Sequence, residues 1–110
     1  MTGDDTLRQR VEELAIEAGG PALTSALEGD ATTWSVAGRT FASLTDDAVE
    51  LRLDPAIARA ATRTPDTSPS ERGSEWVRFA PPELDDHALD RLEAWFAFAR
   101  RRASESARSS

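Results

Sequence analysis

Residues 48–53 read Ala-Val-Glu-Leu-Arg-Leu, and their alternation constrains the chain more than any other feature. Val49, Leu51 and Leu53 fall on one side of an extended strand, and Ala48, Glu50 and Arg52 on the other. A strand of this kind buries one face and wets the other, which is the habit of an antiparallel sheet covered on one side. The same two-residue period runs just upstream. Over 32–37, Trp34 and Val36 share one face, and Thr33, Ser35 and Ala37 share the other. Over 39–44, Phe41 and Leu44 are the apolar positions. Gly38-Arg39 and Thr45-Asp46-Asp47 supply tight turns, with Gly38 able to take a positive φ. Residues 32–53 are therefore expected to form a three-stranded ribbon.

Helical periodicity brackets the ribbon. Leu7, Val11, Leu14, Ala15 and Ala18 recur at three- and four-residue spacing and predict a helix over 5–18, capped by Asp4, Asp5 or Thr6 and stopped by Gly19-Gly20-Pro21. Ala22 to Leu27 is expected to add one helical turn through Leu23 and Leu27, broken at Gly29-Asp30. Asp54-Pro55 opens a second helix, with Asp as cap and Pro at the first position, and Ile57, Ala60 and Ala61 as its apolar face. Residues 64–73, TPDTSPSERG, read as an exposed loop in which a short strand is not excluded. Residues 75–80 form a further strand, with Val77 and Phe79 on one face and Trp76 and Arg78 on the other. Pro81-Pro82 leads into a last helix over 83–102, striped by Leu84, Ala88, Leu92, Trp95, Phe96 and Ala99. Its acids come first and Arg100-Arg101-Arg102 last, as the helix dipole favours. Residues 103–110 read as a disordered polar tail.

The order α-β-β-β-α-β(β)-α implies a single α/β (α+β) domain over 1–102. Its two layers are an antiparallel sheet of four or five strands and a set of helices on one of its faces. At 110 residues and 39% hydrophobic, one domain with a modest core is what the chain can support. No cysteine is present, which excludes disulfides and thiol catalysis. No apolar run approaches the roughly 20 residues of a membrane span. The opening MTGDDTLRQR has no signal-peptide core, so a cytoplasmic location is the expectation, and a monomer is expected as well.

The net charge is −7, and every basic residue is Arg. The first thirty residues hold seven of the twenty acids and only two arginines. That balance works against nonspecific phosphate binding, which needs a positive footprint.

Three segments in order resemble the MmcQ/YjbR family of small bacterial proteins. They are Trp34-Ser-Val-Ala-Gly38-Arg39-Thr-Phe41-Ala42-Ser-Leu44, Leu51-Arg52-Leu53-Asp54-Pro55 and Trp76-Val77-Arg78-Phe79. They follow the family's GK-x-FA-x-L hairpin, L-K-x-x-P junction and G-W-V strand over roughly residues 5–100. Arg39 and Arg52 stand where the family has lysines, and the Gly before the Trp is displaced to Gly73. The resemblance implies a double-wing, secretion-chaperone-like fold with an outward sheet, and a DNA-binding label. It assigns no catalytic residues.

The residues expected to make contact are Arg39, Arg52, Arg78 and Trp76. Arginine binds phosphate or carboxylate through paired hydrogen bonds, and a neighbouring aromatic can stack on a base. The competing reading pairs Arg52 and Arg78 with Glu50 and Glu75 across the sheet. Trp34 and Trp95 are read as core. Asp85, Asp86, His87 and Asp90 are read as first-turn helix acids beside the only histidine, not as a metal site. With no phosphate loop, nucleophile elbow or metal motif, the expectation is a non-enzymatic protein without cofactor. Its partner would be DNA or, through the same face, a protein or peptide.

Overall fold

The computed structural model of the chain describes residues 3–18, 23–45 and 48–109. The expected helix stop at Gly19-Gly20-Pro21 and the Asp46-Asp47 turn lie outside them. The elements run α1 (Gly3–Ala18), β1 (Leu23–Glu28), β2 (Ala31–Val36), β3 (Arg39–Leu44), β4 (Val49–Arg52), α2 (Pro55–Ala61), β5 (Thr67–Pro69), β6 (Trp76–Phe79) and α3 (Asp86–Ser109). One antiparallel sheet of six strands has the order β1-β2-β3-β4-β6-β5.

The expected two-layer architecture holds, with six strands in place of the four or five expected. Residues 23–28 form a strand, not the expected helical turn. Leu23 and Leu27 are four apart, a spacing that satisfies a strand face as well as a helix face. β5 is the short strand that the sequence reading allowed inside the Pro/Ser/Thr-rich loop.

The alternation read from sequence sets the two faces. Leu51 sits opposite Ala42 and Val77, and Val49 opposite Leu44 and Phe79, all of them toward the helices. The β2–β3 turn is Ala37-Gly38, one residue earlier than expected, with φ of 50° and 82°. Two positive φ values in a two-residue hairpin loop match the right-handed twist of the strands it joins. Further along β3 the register slips: Ser35 pairs with Thr40 but Trp34 with Ala42, so Phe41 is the extra residue of a bulge. The bulge lets Phe41 and Ala42 both reach the core, where each is fully buried.

The helices cover that inner face. Phe96 of α3 meets Phe41 edge-on at 5.4 Å and Trp34 at 6.5 Å, while Trp95 meets Phe79 at 5.4 Å. Phe41, Phe79 and Phe96 are essentially inaccessible, each worth about 1.5–3 kcal/mol of burial. Trp34 is core, as expected, and Trp95 packs against the core half-buried. From α1, Leu7, Val11 and Ala15 join the same cluster, and an Arg10–Glu93 ion pair fastens α1 to α3.

In α2 the Asp54 carboxylate accepts from the Ala56 amide at 2.9 Å, and Pro55 takes the first turn. Its buried residues are Ala58 and Ala61; Ile57, expected on the apolar face, is 39% exposed. In α3 the start lies at Asp86, where the Asp85 carboxylate accepts from the Ala88 amide at 2.9 Å. The helix runs on through Ser109, with Ala103 buried. Residues 103–109, read as part of a disordered polar tail, therefore continue the helix, and Arg100-Arg101-Arg102 lie within it, not in its last turn. Ala, Ser and Glu in that stretch are tolerable helix residues, and the preceding turns supply the nucleus.

Candidate functional site: the outer sheet face

The side of the sheet away from the helices is built from the polar partners of the same alternation. Ser43 stands opposite Glu50, Glu50 opposite Arg78, and Arg52 opposite Trp76. On β2 and β3 the row continues through Thr33, Ser35 and Thr40, with the Ser35 and Thr40 hydroxyls 3.0 Å apart. Arg52, Arg78 and Trp76 thus share one stretch of sheet, as their sequence positions predict.

Arg39 lies apart from Trp76 and Arg78. It pairs with Val36 and lines a small cleft with Phe41 and with Ala99, Arg102 and Ala103 of α3, at the helical side of the sheet end. Arg52 reaches the same cleft from the end of β4.

The organising residue of the outer face is Arg72, which sequence reasoning did not single out. The loop between β5 and β6 folds back and lays Arg72 across β3 and β4. Its Nε donates to Glu50 Oε1 at 3.2 Å, and its Nη2 donates to Ser43 Oγ at 3.1 Å. Its guanidinium carbon stands 5.1 Å from the centre of the Trp76 ring. The Ser70 hydroxyl donates to the other Glu50 oxygen and accepts from the Arg72 amide at 3.1 Å, which fixes the loop. Ser43, which Arg72 bonds, is buried although it sits on the polar side, and so is Thr33, whose hydroxyl donates to the Ala26 carbonyl at 3.4 Å. No motif flags Arg72; only the loop's return brings it to Glu50.

A second ionic cluster closes the sheet end. Glu75 Oε1 accepts from Arg52 Nε at 3.0 Å and from Arg102 Nη1 of α3 at 2.8 Å. The Arg102 hydrogen bond, helped by that of Arg52, holds the Glu75 carboxyl below its ordinary pKa of 4.5. Of the expected cross-sheet pairing, the bond of Arg52 to Glu75 is present. Glu50 is taken by Arg72, and Arg39 and Arg78 have interacting neighbours of their own. Between Arg52, Arg72 and Trp76 lies an open hollow of about 240 Å³.

Asp85 serves as the cap of α3, and among the described residues no cluster of His, Asp and Glu could hold a metal. No described helix is long and apolar enough to cross a membrane. The chain matches no protein-family model, no curated protein and no solved structure.

Proposed function

We propose that the chain is a non-catalytic binding module of the MmcQ/YjbR type that engages another protein through the outer face of its sheet. The observation that carries this reading is the engagement of the arginines. Arg52 is bonded to Glu75 and Arg72 to Glu50. A face whose cations are already matched offers balanced polar groups and a half-buried Trp76, the make-up of a protein contact. Phosphate binding there would first have to break those pairs, within a chain of net charge −7.

DNA is the second reading. It is favoured by the family resemblance and by Trp76 standing beside Arg72 and Arg52, a grouping that suits base stacking.

Fluorescence anisotropy of labelled duplex DNA, at low and near-physiological salt, separates the two. Salt-sensitive binding weakened by both Arg52→Ala and Arg78→Ala would move the assignment to DNA. The protein reading expects no such binding. It also expects a photo-crosslinker at Thr40, but not one at the exposed Ala97 of α3, to capture a defined partner.

A further inference from the structure

The sheet ends differently on its two sides. The β5 edge is three residues long and includes Pro69, which has no N–H to offer a neighbouring strand. The β1 edge is six residues long, without Pro or Gly, and five of the six are exposed. Its far side carries no strand among the described residues. A row of backbone donors and acceptors on such an edge is a template for one more strand.

Beside that edge, α1 and the inner face of β1–β2 enclose a groove of about 390 Å³. Ala15, Ile16, Leu23 and Trp34 supply its apolar lining, and Glu12 stands on its rim. Ile16 is 80% exposed, and so is Leu27, which projects from the same side of β1 opposite the groove residue Thr32. These are two of only three large hydrophobics exposed among the described residues. Leu23 and Leu27 lie roughly 13 Å apart along the strand, within reach of alternate side chains of one extended segment of five or six residues.

Charge decides what that segment carries. Glu13 and Glu17 of α1 are paired with Arg10, which leaves Glu12 on the groove, Glu28 at the end of β1 and Asp30 in the turn after it as the acids around the edge. A second copy of the chain would bring the same acids to the same edge, where like charges repel.

We propose that the β1 edge and the α1–β1 groove bind an extended segment of another protein as a seventh strand of the sheet. The segment's alternate apolar side chains enter the groove, and its arginine or lysine side chains, on the opposite face of the added strand, meet Glu28, which lies on the face of β1 away from Leu23 and Leu27. Main-chain hydrogen bonds give the affinity of such an addition, and alternate side chains give its specificity. This surface is separate from the outer face and does not depend on the function assigned there.

The test uses a fluorescein-labelled decapeptide of alternating isoleucine and arginine, titrated into the intact chain and followed by anisotropy. Comparison peptides replace arginine by glutamate, or keep arginine and carry backbone N-methyl groups on every second residue, in each of the two registers. The expected result is binding of the basic peptide and none of the acidic one. At least a tenfold loss is expected for one N-methylated register, and for Ile16→Glu and Leu27→Glu. Both side chains are exposed, so the variants should keep the parent's urea midpoint, and Ser68→Glu on the outer face should bind as the parent does. Equal binding of all peptides, or binding untouched by Ile16→Glu and Leu27→Glu, would show mere attraction to an acidic protein and overturn the proposal. So would a dimer in sedimentation that Leu27→Glu dissolves, since the edge would then belong to a second copy.

Discussion

Arg72 covers Trp76: its guanidinium stands 5.1 Å from the ring centre, while the same group bonds Glu50 and Ser43 on two neighbouring strands. One loop arginine thereby satisfies a carboxylate, bonds a buried hydroxyl and shields an aromatic. Arg72→Ala should cost about 1 kcal/mol, the scale of a partly exposed charge-assisted contact. Urea denaturation measures the loss, and iodide should quench the tryptophan emission of the variant more than that of the parent. Unchanged quenching would mean that the loop does not cover Trp76 in solution.

Glu75 makes stability depend on pH in a definite direction. Its folded pKa lies below 4.5, chiefly through the Arg102 hydrogen bond. A depressed carboxylate pKa contributes stability that is present above the unfolded value and is lost as pH falls through the folded one. The stability gap between the parent and Glu75→Gln should therefore be widest near neutrality and close progressively below pH 4.5. A gap that stays constant between pH 7 and pH 3 would contradict the cluster.

The Ala37-Gly38 turn asks a non-glycine residue to hold φ at 50°. Asparagine tolerates that conformation better than alanine, and Asn-Gly is the favoured pair for such a turn. Ala37→Asn should stabilise the fold by about 0.5–1 kcal/mol and raise Tm by a few degrees. A lower Tm would show that the hairpin adopts another turn.

Phe96 meets both Phe41 and Trp34 and is 1% exposed. Phe96→Ala should cost about 3–5 kcal/mol, most of the stability available to a domain this small, whereas Phe96→Leu should cost far less. Calorimetry on the pair distinguishes loss of this contact from a general intolerance at the site.

The ribbon was the most legible part of the chain because its alternation has a single explanation. Val49, Leu51 and Leu53 could only be one buried face, and all three are fully buried. Asp54-Pro55 was equally readable, since capping chemistry is local. β1 was missed because Leu23 and Leu27 fit both periods, and nothing nearby in sequence reveals that β2 is waiting to pair with it. Ile57 and Ala60 were misjudged because α2 is short and turns Ala58 and Ala61 inward. At the candidate site, Arg52 and Trp76 could be placed from strand register alone. Arg72 could not, because its position depends on a loop returning across two strands, and Arg39 faces the helices in company with Phe41. Such tertiary returns leave no periodic trace.

The bulge at Phe41 has a further consequence for how the strands can move. Above it β2 and β3 are matched in one register, and below it in another that differs by one residue. Sliding β3 along β2 would need both halves to shift together, yet any shift that re-forms one ladder drags two neighbouring inward side chains, Phe41 and Ala42, out of step with the other. The extra residue thus works as a detent. It holds the centre of the sheet against slippage, so any added strand is confined to the outermost edges.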